Sequence, residues 1–289
     1  MHMRIAVAGS VLALVVAPAV TGFGPAASAR PPVRPATARG LDSPRAKEVA
    51  MELVASAENS TLDWRSQYGY LEDIRDGQGY TGGIIGFCSG TGDMLEVVVR
   101  YTHRKRRNPL APYLPALRRV NGTASHAGLG THFERAWKTA ARDEAFQAAQ
   151  EEERDRVYFG PAVRLAEADG LRTLGQFIYF DAVVMHGNGH DKDSLGAIRR
   201  NAMRKARVPA RGGDEKAYLN AFLDARKVAI KNETVHGDTT RVDTEQRVFL
   251  DEGNFGLRPP LRWRTYGNVY EINHWPHVDG RRPRPSADR

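Results

Sequence analysis

Two apolar helical stripes in this 289-residue chain each carry one charge where a core residue is expected. Between Leu171 and His186, the residues Leu174, Phe177, Ile178, Val184 and Met185 mark a buried side, and Asp181 falls on it. Between Asp214 and Asn232, Leu219, Phe222, Leu223 and Ile230 do the same, and Arg226 interrupts them. Both patterns follow the 3.6-residue period of an amphipathic helix. A charge stranded in a core by removal of its partner costs about 3–5 kcal/mol. The two helices are therefore expected to pack together with Asp181 against Arg226. Such a pair serves structure alone or structure and function together, and these residues leave both open.

Helical spacing also predicts helices over Met94–Arg107, Phe133–Val157, Pro161–Asp169, Ser194–Ala206 and Arg241–Leu250. Thr240 followed by Asp243 gives the last of these a capping-box-like start. An earlier helix begins at Ser43-Pro44, a hydroxyl cap followed by proline at the first helical position. Its apolar face is Ala50, Leu53, Val54 and Ala57, with Glu58 immediately beside that face near the helix end. A carboxyl there is neither fully solvated nor fully buried, which suits an acid whose pKa must rise. It reads equally as a solvated helix-end glutamate. Tyr70–Ile74 and Tyr80–Phe87 read as strands joined by Arg75-Asp76-Gly77-Gln78-Gly79, and Leu261–Ile272 reads as extended. Asp-Gly is also an ordinary hairpin-turn pair. The expected fold is α+β and mainly α: a two-lobed helical body with one small sheet near the N-terminal third.

The chain ends call for separate treatment. Met1–Arg4, the apolar run Ile5–Val20 and Ala27-Ser28-Ala29 make residues 1–29 an expected signal peptide, and the chain an exported, soluble protein. Residues 30–40 are a Pro/Arg-rich flexible leader, 41–275 the folded domain, and 276–289 a basic tail expected to be disordered. The single cysteine, Cys88, excludes an intrachain disulfide, and its place in the run IIGFC predicts a buried thiol.

Hydrolysis of a glycosidic bond needs one carboxyl group to protonate the leaving oxygen and a second to assist from the other face of the sugar. Glu58 and Asp76 offer such a pair on different elements, with the hydroxyl of Thr81 just beyond the turn. The nine histidines show no HExxH spacing, so neither metal nor other cofactor is expected. The glycines of GYTGGIIG belong to a hairpin rather than to a phosphate-binding loop.

The runs AMELVASAENSTLDW and YLEDIRDGQGYTGGIIGFCSGTGDML resemble the family 46 chitosanases, secreted glycoside hydrolases with a lysozyme-like fold and a cleft between lobes. YLPALRRVNG, ERDRVYFGPAV, LGQFIYFDAVVMHG, GGDEKAYLNAFLDARK and RVDTEQRVFL extend the resemblance from about Leu41 to Tyr270. It implies a catalytic domain over 41–275 that cleaves β-1,4 bonds between glucosamine units with inversion. Glu58 would be the acid, Asp76 the base, and Thr81 would place the attacking water. It further implies that Asp181 lies between Arg226 and Arg241, with Arg241 reaching toward Glu58. Asp93 and Glu233 would bind sugar amines, and Tyr70 and Tyr158 are candidate stacking aromatics. Gln78 stands at a subsite position where relatives often carry arginine, and Gly237 where they often carry an acid. The expected partner is chitosan or its oligosaccharides, with no nucleic acid, no membrane after signal removal, and a monomeric state.

Two rival readings rest on charge. The formal net charge is +8, which suits an anionic target and so a lysozyme-like peptidoglycan hydrolase. It also suits a non-enzymatic exported protein that binds polyanions through His103–Arg107. Much of the excess lies in Arg104–Arg107, Arg118-Arg119 and the tail. Charges farther from a site than a Debye length, about 8–10 Å, are largely screened.

Overall fold

The computed structural model describes residues 40–189, 191–233 (the side chain of Glu233 excepted) and 237–277. The expected signal peptide, nearly all of the expected leader and most of the expected basic tail lie outside the described residues. Helix α1 (Pro44–Asn59) starts as its sequence dictates, with the Ser43 hydroxyl accepting from the Ala46 amide. It buries Ala50, Leu53, Val54 and Ala57. A 3₁₀ turn (Trp64–Gly69) then leads into a three-stranded antiparallel sheet of β1 (Leu71–Glu72), β2 (Thr81–Gly82) and β3 (Phe87–Cys88), in that order.

The sheet corrects the expectation of one long strand over Tyr80–Phe87. The backbone turns at Gly83 and Gly86, both left-handed (φ 77° and 76°), and returns as β3. Ile84 and Ile85, at the tip of that turn, are buried. Gln150 holds the turn by accepting from the Ile84 amide at 3.1 Å. Buried turns and buried strands share the same apolar composition, so the pattern does not distinguish them.

The helices that follow are α2 (Asp93–Arg104), α3 (Leu114–Val120), α4 (Thr131–Ala140), α5 (Glu144–Arg154) and α6 (Gly160–Ala168). The sequence pattern missed α3 and misplaced the next break. The expected helix over Phe133–Val157 is cut at Asp143, whose carboxylate caps α5 by accepting from the Ala145 amide at 3.0 Å. The expected break before Pro161 is instead a π-turn (Asp155–Phe159) that joins α5 to α6. Proline has no N–H to give and normally clashes with the preceding turn. The wider turn accommodates Pro161 by carrying the Gly160 amide back to the Asp155 carbonyl.

The two helices that this turn joins pack on different partners: α5 on α2 beside the sheet, and α6 on α7 (Thr173–His186). Helix α7 touches α1, α8 (Leu195–Met203) and α9 (Glu215–Glu233), and α8 lies along α9. A second π-turn (Arg241–Gln246) runs into α10 (Arg247–Asp251). The chain then closes with an antiparallel hairpin, β4 (Leu261–Thr265) and β5 (Asn268–Ile272), packed on that π-turn. The capping box expected at Thr240 does not form. The Thr240 hydroxyl donates to Asp238 at 2.6 Å, while Asp243 accepts from Thr239 at 2.6 Å. The architecture is mainly helical with a small antiparallel sheet, as its sequence implied.

Candidate active site

Glu58 stands in the last turn of α1, over the buried Val54 and Ala57. Ser60 adopts a left-handed conformation (φ 53°) and stops the helix two residues later. The Glu58 side chain remains 35% exposed, and its Oε1 accepts from Nη2 of Arg241 in an ion pair. Arg241 is buried in the π-turn, with its Nε 3.2 Å from Oδ1 of Asp181. The other oxygen of Asp181 accepts from Nη1 of Arg226 at 2.6 Å and from Nε2 of Gln246 at 2.6 Å. Arg226 also donates to the Gln246 amide oxygen at 3.0 Å and to His186 Nε2 at 3.3 Å.

An unbroken chain of charges therefore runs Glu58–Arg241–Asp181–Arg226 from surface to core. The pairing of Asp181 with Arg226, expected from the stripes alone, is present. Burial by itself would raise the Asp181 carboxyl, but the guanidiniums of Arg241 and Arg226 outweigh it and hold Asp181 below the usual carboxylate value. Burial likewise opposes the charge of Arg241, and Asp181 and then Glu58 more than restore it.

Sequence reasoning missed two members of this cluster. Gln246 bridges Asp181 and Arg226, and Glu245 is fully buried with neither carboxylate oxygen hydrogen-bonded. Burial, and next the charge of Asp181, pushes the Glu245 carboxyl well above its usual value, against the pull of Arg241 and Arg226. The signal was present in the pattern. Arg241 and Glu245 are four residues apart among the apolar Val242, Phe249 and Leu250.

Asp76 lies in the exposed loop between β1 and β2. Its Oδ1 accepts from the Gln78 amide at 2.9 Å and its Oδ2 from the Gln78 side chain at 3.1 Å. The local backbone is demanding: Arg75, Gly77 and Gly79 have φ of 58°, 84° and 75°. At Gly79 the positive φ disfavours any residue with a Cβ, and one built there would meet the Ser89 hydroxyl at 2.3 Å. Ser89 in turn accepts from the Tyr80 amide at 2.9 Å, and Gly90 donates to the Gln78 carbonyl at 2.8 Å. The loop thus holds its shape through backbone contacts to the segment after β3.

Thr81 is buried on β2, its hydroxyl 3.5 Å from the Cys88 sulfur. Burial pushes the Cys88 thiol up to about 12, with the nearby charges of Asp93 and Asp76 adding to it. Asp76, Thr81, Cys88 and Asp93 therefore share one neighbourhood. Asp93 is buried at the first turn of α2. Its Oδ1 accepts from the Cys88 and Met94 amides (2.8 and 3.0 Å) and the Thr91 hydroxyl (2.6 Å); its Oδ2 accepts from Tyr158 (2.5 Å). Burial raises its carboxyl against all four donors.

The candidate stacking aromatics are tied elsewhere. The Tyr158 hydroxyl is committed to Asp93 and its ring packs edge-on against Phe87. The Tyr70 hydroxyl donates to Glu72 at 3.1 Å, though its phenol lies near enough to Glu58 to be raised by its charge, after burial and Glu72. Glu233 closes α9, and its side chain lies outside the described residues. Among the described residues no cluster of three or more His, Cys, Asp or Glu side chains could hold a metal ion.

Comparison with known proteins places this geometry. The chain is 63% identical to a chitosanase of Streptomyces sp. (strain N174) over 270 residues, 93% of this chain and 97% of that protein. It superposes on the co-crystal structure of chitosanase OU01 with substrate (TM-score 0.78, 57% identity, 81% of this chain, 99% of that one). It also superposes on the complex of a Gynuella sunshinyii GH46 chitosanase with chitotetraose (TM-score 0.73, 34% identity, 78% and 96%). Residues 52–261 match the family described as glycosyl hydrolase family 46, and with a buried charge chain ending on one carboxylate and a second carboxylate held in the β1–β2 loop, the chain belongs to that family.

Proposed function

We infer that this protein is an exported, endo-acting chitosanase that cleaves β-1,4 bonds between glucosamine units with inversion. The identity over nearly the whole chain to a chitosanase carries the substrate class. Glu58 gives its proton to the glycosidic oxygen as the C1–O bond breaks. Asp76 takes a proton from the water that attacks C1 from the opposite face, and Thr81 places that water. The product is the α-anomer, and proton exchange with solvent resets both acids. Inversion calls for carboxyl groups about 6.5–9.5 Å apart, against about 5–5.5 Å for retention.

Support for the acid comes from the ion pair that receives it. After proton transfer the Glu58 carboxylate faces Arg241, whose pull is shared with the buried Asp181. Support for the base comes from its double hydrogen bond to Gln78, which fixes the carboxylate while leaving it open to water. In this reading Asp93 and Glu233 bind sugar amines at separate subsites and Gln78 lines a substrate subsite, while Asp93 also fixes Tyr158 and the β3 backbone. Residues 1–29 direct export, and the folded chain acts as a monomer without cofactor or nucleic acid. No helix among the described residues is long and apolar enough to cross a membrane.

Proton NMR of the first products from glucosamine hexamer tests bond choice and anomeric outcome together. The new reducing ends should appear as α before they mutarotate; β-first products would overturn inversion. Glu58→Gln and Asp76→Asn should each lower kcat by about 10²–10⁴-fold while melting like the parent, the range expected when one proton-transfer group is lost.

A further inference from the structure

The hairpin between β4 and β5 turns on Tyr266 and Gly267, both left-handed at φ 48° and 83°. A two-residue turn of this kind takes Asn, Asp or Gly at its first position, because a side chain with a Cβ is crowded there. An aromatic residue at that position is not explained by turn chemistry. Packing does not explain it either. Trp263 and Tyr270 on the same hairpin join the core, whereas Tyr266 stands outside it and is 48% exposed.

Yet the position is held firmly. The Tyr266 amide donates to the Thr240 hydroxyl at 3.2 Å, and the Thr244 hydroxyl donates to the Arg264 carbonyl next along the strand. Both threonines belong to the segment that carries Arg241, the partner of Glu58. The phenol lies close enough to Arg241, Glu58 and Asp238 to feel the charge of each. Residues held in rarely populated backbone regions concentrate at ligand sites. Here Ser60 beside Glu58, Arg75 beside Asp76, and Tyr266 are three of the four such non-glycine residues among those described.

We propose that Tyr266 is a substrate-contacting residue, the aromatic wall of the sugar subsite that adjoins Glu58. The proposal rests on the chitosanase reading above. The ring offers its face to the apolar side of a pyranose, and its electron-rich surface suits the ammonium of a glucosamine unit. The phenolic hydroxyl is left to donate to a sugar oxygen.

Replacement by a better turn former separates this role from a structural one. Tyr266→Asn relieves the crowded backbone, so its melting temperature should equal or exceed that of the parent. Its KM for glucosamine hexamer should nonetheless rise about 5–10-fold with kcat little changed, the loss of one ring–sugar and ring–cation contact. Tyr266→Phe, which keeps the ring, should stay within about twofold of the parent KM, as one exposed neutral hydrogen bond is worth little. On the inactive Glu58→Gln background, calorimetric titration with the hexamer should show Tyr266→Asn weakening binding by the same factor as KM. Parental KM and hexamer binding in a folded Tyr266→Asn protein would overturn the proposal. A parent protein that leaves chitosan uncut would fail at an earlier step and overturn the chitosanase reading, and the subsite with it.

Discussion

Glu52 sits half-buried on α1, one and a half turns before Glu58, and its carboxyl is pushed up to about 7. Burial is the main cause and the charge of Glu48 adds to it, against a smaller opposing pull from Arg65. The folded protein thus binds this proton more tightly than the unfolded chain does, so its contribution is intact at acid pH. It is lost as pH rises from the ordinary carboxylate range through about 7. Glu52→Gln removes the liability: thermal melts should rise by about 2–4 °C at pH 8 and stay unchanged near pH 4. At this scale the sequence was informative about Glu58, because helical spacing alone set it at the margin of the apolar face. It was less so about Asp76, since Asp-Gly makes an ordinary turn whether or not chemistry happens there. The amide grip of Gln78 on Asp76 was not legible, because two residues apart in sequence says nothing of side-chain direction.

The elements were legible where they are long and periodic. Helices α1, α7 and α9 fall close to their expected bounds, while strands of two residues and the turn of Ile84 and Ile85 leave no periodic signature to read. Both π-turns escaped notice for a different reason. An i→i+5 turn is set by what the neighbouring helix must accommodate, Pro161 in one case and the buried Arg241 and Glu245 in the other. Asp143 is the element-scale feature that sequence periodicity ran through. It caps α5 and also accepts from Tyr101 at 2.7 Å and Lys105 at 2.6 Å. These bonds hold its carboxyl below the usual range, Lys105 contributing most and Tyr101 next. Its stabilising effect is therefore full at neutral pH and fades as the solution is acidified through that depressed value. Asp143→Ala should destabilise by about 1–2 kcal/mol in urea titration at pH 7, with the difference shrinking at low pH.

For the molecule as a whole, the chain Glu58–Arg241–Asp181–Arg226 ties α1, α7, α9 and the second π-turn to one another. The sequence revealed its inner pair because a lone charge on an apolar stripe has few affordable solutions, whereas Glu245 and Gln246 entered only with the tertiary packing. Arg226→Met leaves Asp181 with one cation instead of two and should cost about 3–5 kcal/mol. Adding Asp181→Leu should recover only part of that stability: a packed apolar pair can replace the Asp181–Arg226 ion pair, but Arg241 stays buried and loses the carboxylate that offset its burial. Activity should not return with it, because Arg241 would then lack the anion that aims it at Glu58. Full activity in a restabilised double variant would reduce the inner pair to scaffolding.

Cys88, sealed beneath Thr81 with its thiol pushed up to about 12, is the only sulfhydryl the chain possesses. Proteins folded in oxidising compartments often carry cross-links between cysteines. With a single cysteine this chain forms none within itself, so folding under reducing or oxidising conditions yields the same cross-link-free chain, and thiol reagents reach Cys88 chiefly after the structure opens.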